Sequence, residues 1–120
     1  AIRYVTTGAY LAKIREYEAG DVAPEFATLK KTLVEMAAQY EQACALVHGH
    51  DNTYIDFHAR RLVEMAGHII MGWLLVLDAG RCADFAKSAR VFVGKAKSWN
   101  QERYDYIAGF SEEDLADFIN

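Results

Sequence analysis

Arg61 and His68 are the two residues whose types and spacing come nearest to an active site in this sequence of 120 residues. Two helical turns apart, they would share a face, where the imidazole could move a proton near neutral pH and the guanidinium could hold a phosphate. Such spacing is common by chance, however, and Ile69 and Ile70 beside His68 point to a buried flank, so the periodicity favours a structural role for both. Glu64 lies four residues before His68, yet two side chains fall short of the three protein ligands a metal site ordinarily needs. No glutamate has a histidine three residues later, the arrangement that supplies ligands in di-iron bundles, and no metal site is expected.

The remaining reactive side chains read the same way. His48 and His50 flank Gly49 at a turn, where an imidazole near a helix C-terminus interacts favourably with the helix dipole. Cys44 and Cys82 show no Cys-x-x-Cys spacing and no nucleophile elbow. They fall near the ends of consecutive helices, at opposite ends of a hairpin, so they are expected to be free, buried thiols. Trp73, Trp99, Phe85 and Phe92 could line a ligand cavity, but their helical spacing is that of ordinary core. No catalytic residue and no cofactor-binding residue is expected.

The elements that must position these residues are helices throughout. One proline and the absence of period-two alternation leave no strand signal. The expected fold is all-α, an antiparallel up-and-down four-helix bundle with a short C-terminal helix. It forms one domain over residues 1–120, with helices at about 8–19, 24–48, 52–80, 84–108 and 112–119. Thr6 or Thr7 can cap the first helix, and Pro24 suits the first position of the second. Phe26, Leu29, Leu33, Met36, Tyr40, Ala43 and Val47 then alternate three and four residues apart, the pattern that packs helices at shallow angles. Asp51 or Asn52 caps the third helix after a very short connection, which makes the second and third helices antiparallel neighbours.

The third helix starts amphipathic, with Ile55, Leu62 and Met65 opposed by Arg60, Arg61 and Glu64, and becomes apolar around most of its circumference from Ile69 to Leu77. That second half should be covered on several sides. Gly80 marks the expected break. Along the fourth helix Phe85, Ala89, Phe92, Ala96, Trp99 and Tyr106 recur at helical spacing, and Ser111 with Asp114 can cap the last helix.

Composition agrees with a packed domain: 52% of residues are hydrophobic, 25% are charged, and the formal net charge is -4. No lysine or arginine run exceeds a pair, so neither nucleic acid nor an anionic membrane is expected as a partner. The most apolar stretch, Ala66 to Leu77, is shorter than the roughly 20 residues that cross a bilayer. The chain begins without a charged and apolar leader, and the expected compartment is the cytoplasm.

One stretch is more specific than composition. MAGHIIMGWLLVLDA, from Met65 to Ala79, resembles the third helix of the C-terminal helical domain of acyl-CoA dehydrogenase-like flavoproteins. Phe92-Val-Gly-Lys95 followed by Ala96 is similar to that domain's last helix, and the likeness covers roughly residues 22–108. Two mid-helix glycines, each costing about 1 kcal/mol against alanine, suggest close packing at Gly67 and Gly72, with Trp73 and Trp99 filling grooves. The resemblance implies an accessory or structural domain of an enzyme that removes α and β hydrogens from an acyl-CoA thioester. It implies FAD in that parent enzyme and none bound by this chain alone. It also implies, as partners, the remainder of the flavoenzyme or another protomer in a homo-oligomer. Two other readings stand beside it. One is a free-standing helical interaction module. The other rests on the Arg61 and His68 spacing, which resembles the loose signature of the helical ribonucleases called HEPN domains.

Overall fold

Asp51 sets the start of the longest element. Its backbone is extended and its carboxylate accepts from the Tyr54 amide at 3.0 Å, which satisfies one of the free donors at a helix start. The computed structural model describes residues 8–119. Their order is α1 (Ala9–Glu18), a 3₁₀ turn (Pro24–Phe26), α2 (Ala27–His48), α3 (Asn52–Arg81), a second 3₁₀ turn (Ala83–Phe85), α4 (Ala86–Ala108) and α5 (Glu112–Ile119). The described residues contain no strand, and the fold is all-α. The proposed caps at Thr6 or Thr7 lie outside the described residues.

Two boundaries differ from the sequence expectation for local reasons. Pro24 opens a single 3₁₀ turn, closed by the Phe26 amide on the Ala23 carbonyl at 2.8 Å, and the α-helix starts only at Ala27. Gly80 does not break α3. The helix runs through it to Arg81 and stops where Cys82 turns extended, at φ −144° and ψ 117°. At the other end of the chain, Ser111 Oγ accepts from the Asp114 amide at 3.2 Å while Asp114 Oδ2 accepts from the Ser111 amide at 2.9 Å, a reciprocal cap.

The body of the molecule is α2, α3 and α4, each packed on the other two, in a rod of 52 × 24 × 18 Å. Helix α1 is much shorter, with 10 residues or about 15 Å of rise, and packs mainly on α2 and α3. Ile14 is its buried anchor, Arg15 pairs with Glu41 at 2.7 Å, and Tyr17 stacks on Trp73. The fourth member of the bundle therefore covers only part of its length. The α2 stripe is buried at Phe26, Leu33, Met36, Tyr40, Ala43 and Val47, with Leu29 half-buried.

Helix α4 presents a different seam from the aromatic one. Its buried residues are Ala89, Val93, Ala96, Asn100 and Ile107, whereas Phe85, Trp99 and Tyr106 are exposed and Phe92 is half-buried. Ala89 and Ala96 of the expected stripe are buried as expected, but the helix is turned by less than one residue, roughly 80°, from the orientation that would bury the large rings. Small side chains let α4 approach α3 closely, and the polar member of the seam is fully satisfied there. Asn100 donates to the Met65 carbonyl at 3.1 Å and its Oδ1 lies 2.8 Å from His68 Nδ1.

The two α3 glycines separate in the same way. A Cβ on Gly72 would lie 2.7 Å from Leu33 Cδ2 and 3.5 Å from Val93 Cγ2, so side chains of α2 and α4 seat on α3 backbone there. Gly67 is exposed and a Cβ would meet nothing within 4 Å, so the expected close approach does not occur at that position. The apolar second half of α3 is covered on fewer sides than its composition suggested: Met71 keeps 47% and Leu74 42% of its surface exposed.

Candidate functional site

Helix α3 carries both members of the proposed catalytic pair, but each is committed to packing. Arg61 donates to the Phe57 carbonyl at 3.1 Å, and its guanidinium lies 4.2 Å from the Tyr106 ring centroid and 5.1 Å from that of Phe57. That geometry holds the cation between two rings, a favourable use of its flat, weakly hydrated head. His68 stands two turns away. An asparagine Oδ1 only accepts, so His68 Nδ1 carries the proton and donates to it. The imidazole also packs on Trp99, with centroids 5.1 Å apart. The neighbour the spacing singled out, Glu64, faces Arg103 at 3.3 Å and Arg60 at 3.8 Å rather than His68.

A cleft of about 770 Å³ is lined by Phe57, Arg60, Arg61, Glu64, Glu102, Arg103, Asp105 and Tyr106. Three arginines and three carboxylates meet there, and one pair of opposite charges already closes across it between α3 and α4. Opposed charges joined in this way tie two helices together and leave no field of one sign for a charged ligand.

His58 is the functional-looking residue that sequence reasoning missed. It is fully buried, and neither ring nitrogen has a hydrogen-bond partner. Tyr54, Phe57, Tyr106 and Phe110 surround it at centroid distances of 4.9 to 6.3 Å. Its ring stands at 86° to Phe57 and 89° to Phe110, the perpendicular arrangement in which an imidazole edge meets a π face. Burial pushes its pKa down to about 4, with lesser electrostatic contributions from Arg61 and His50 in the same direction, so the ring is neutral near pH 7. A neutral imidazole with no polar contact is a packing group, not a general base aimed at a substrate.

The same ring cluster fastens α5. Phe118 packs on Phe57 and Phe110, the Tyr54 hydroxyl donates to the Phe110 carbonyl at 3.1 Å, and His50 Nδ1 donates to Glu112 Oε1 at 2.7 Å while stacking on Tyr54. His50 is thus a tether between the α2–α3 turn and α5. His48 remains the last residue of α2, where the dipole favours it.

No group of three or more metal-ligating side chains occurs among the described residues. Both cysteines are free. Cys44 is half-buried beside Tyr40, and burial pushes its thiol up, away from a nucleophilic thiolate. Cys82 is exposed at the end of α3, contrary to the expectation of a second buried thiol, because it lies in the turn where the helix stops.

The orphaned buried polar atoms, the two His58 nitrogens and Trp73 Nε1, are enclosed by rings and aliphatic core.

Helix α3 is long and apolar enough to cross a membrane by length and composition. Here it is the central helix, with twelve of its thirty residues, among them Leu62, Met65, Ile69, Trp73 and Val76, buried against its neighbours.

Residues 6–115 match the family model described as acyl-CoA dehydrogenase C terminal. The structure is similar to the crystal structure of an acyl-CoA dehydrogenase family protein from Porphyromonas gingivalis, with a TM-score of 0.87 and 38% identity over 92% of this chain and 97% of that one. Comparison with curated proteins gives no match. The chain belongs to the acyl-CoA dehydrogenase family, as its C-terminal helical domain.

Proposed function

We propose that this chain, as one helical bundle domain in the cytoplasm, is a structural part of an FAD-dependent flavoenzyme that oxidises an acyl-CoA thioester. The flavin and the catalytic base belong to the rest of that enzyme. The role of this bundle is to brace it and to join protomers in a homo-oligomer. Membership of the family supports the parent chemistry. The observation that carries the structural role is the exposed apolar surface of α3 and α4. Met71, Leu74, Phe85, Val91 and Trp99 stand open to solvent on a bundle whose inner seams are already closed. Val91 and Trp99 line one groove with Phe92, and apolar side chains grouped in this way mark a surface meant to be covered.

The test is made on the flavoenzyme that carries this domain. Met71→Lys with Leu74→Lys should reduce its oligomeric order and its retained flavin, measured by sedimentation and by flavin absorbance, while the helical circular dichroism of the domain is unchanged. An enzyme that keeps its assembly and its flavin with both lysines in place would overturn the proposal.

A further inference from the structure

Helix α3 carries two seams. One is its buried stripe of Leu62, Met65, Ile69, Trp73 and Val76. The other runs along the opposite side of the helix, facing outward. Asp56, Arg60, Val63, Gly67, Ile70 and Leu74 succeed one another there four and three residues apart, the heptad spacing along which a second helix can lie at a shallow angle. Asp56, Arg60, Gly67, Met71, Leu74 and Arg81 are exposed on this side, with Val63 and Ile70 half-buried between them. Gly67 has no packing reason inside the chain, since a Cβ would meet nothing within 4 Å, yet a glycine in mid-helix costs about 1 kcal/mol against alanine.

Run antiparallel to itself, the outer seam is self-complementary. About a twofold axis level with His68 and Ile69, positions equally far before and after that point stand opposite one another. Asp56 then faces Arg81, Arg60 faces Asp78, Val63 faces Leu74 and Gly67 faces Met71. Opposite charges meet at both ends, apolar side chains meet between them, and the gap left by the glycine receives an unbranched thioether. A parallel pairing would set Arg60 on Arg60 and Asp56 on Asp56 instead. Within the chain Arg60 meets Glu64 at 3.8 Å and Arg81 meets Asp78 at 3.4 Å, exposed pairs on one helix that contribute little and are readily exchanged. We infer that α3 pairs with α3 of a second copy in this antiparallel register.

The dimensions agree. From Asp56 to Arg81 the seam rises about 38 Å, most of the 52 Å length of the rod. The axis repeats every contact, closes the assembly at two copies, and counts each buried patch twice toward the roughly 1,200 Å² that a stable interface needs. This inference rests on the homo-oligomer reading above and names its surface.

The experiment is sedimentation equilibrium of the full 120-residue chain and its variants at low and high salt. The chain should form a dimer that weakens as sodium chloride rises, because exposed charge pairs are screened. Arg60→Glu alone sets like charges opposite one another twice across the axis and should raise the dimer Kd at least about tenfold, and Asp78→Lys alone should do the same. An equimolar mixture of the two variants should form a mixed dimer with a Kd within about threefold of the parent's, since both contacts then join opposite charges. Both side chains reach solvent, and circular dichroism verifies the fold of each variant. Variants that self-associate like the parent, or a mixture no tighter than either variant alone, overturn this seam and leave the homo-oligomer reading standing. A chain monomeric at every concentration also overturns the seam. Sedimentation of the flavoenzyme that carries the domain then decides the wider reading: a monomeric flavoenzyme overturns it, and an oligomeric one keeps it through another surface.

Discussion

Replacing His58 by Phe removes the one fully buried titratable group in the ring cluster and should change how stability depends on pH. The folded-state pKa of His58 is pushed down to about 4 against an ordinary 6.5, so between those values the unfolded chain binds more protons than the folded one. Stability therefore falls as pH falls. The loss begins near pH 6.5 and is complete below about pH 4, where it reaches about 3 kcal/mol at 1.36 kcal/mol per pH unit. About 2 kcal/mol of it should appear between pH 7 and pH 5. His58→Phe keeps the perpendicular ring packing and cannot protonate. Whatever constant offset its extra volume introduces, the difference between parent and variant should shift by that amount across the interval. The other histidines and the carboxylates contribute equally to both proteins and cancel. Urea unfolding followed by circular dichroism at half-unit steps from pH 7.5 to pH 4.5 measures the difference directly. Parallel stability curves for parent and variant would refute the reasoning, because they would mean that His58 protonates in the folded state as freely as in the unfolded one.

Three further outcomes follow from the packing. Gly67→Ala should stabilise the chain by up to about 1 kcal/mol, since its Cβ meets open space, whereas Gly72→Ala should give no net gain or a loss of about 1 kcal/mol, since its Cβ presses on Leu33; thermal unfolding separates the two. Asn100→Leu should cost about 1–3 kcal/mol in urea unfolding, because it removes the bond to the Met65 carbonyl and leaves the His68 Nδ1–H without its acceptor at the α3–α4 seam. A thiol reagent should label exposed Cys82 rapidly and Cys44 slowly under native conditions, with the two rates converging in denaturant.

Much of the fold was legible because it is written in local patterns. The α2 stripe from Phe26 to Val47 has few competing orientations, and Asp51 and Ser111 sit where a helix start needs an acceptor. The orientation of α4 was not legible in the same way. Two stripes one residue apart run along it, one of large rings and one of Ala89, Val93, Ala96, Asn100 and Ile107. Choosing between them requires knowing that Gly72 admits Val93 closely and that Met65 and His68 satisfy Asn100. Those contacts join residues about 20 to 35 positions apart. The His58 cluster was hidden for the same reason, since Tyr54 and Phe57 reach Tyr106 and Phe110 only through the antiparallel register of α3 and α4. The catalytic-looking spacing of Arg61 and His68 was legible, but their partners, two rings for one and an asparagine for the other, were not.

The central claim is that this bundle supports acyl-CoA oxidation without contributing catalytic groups. Its most direct test is the rate of acyl-CoA-dependent flavin reduction in the flavoenzyme that carries the domain, with Arg61→Ala and His68→Ala introduced together. The rate should stay within about twofold of the parent, with any effect confined to stability, because both side chains are spent on packing. A loss on the order of 10²-fold in a variant that keeps its fold and its flavin, the scale at which an acid–base group contributes, would contradict it.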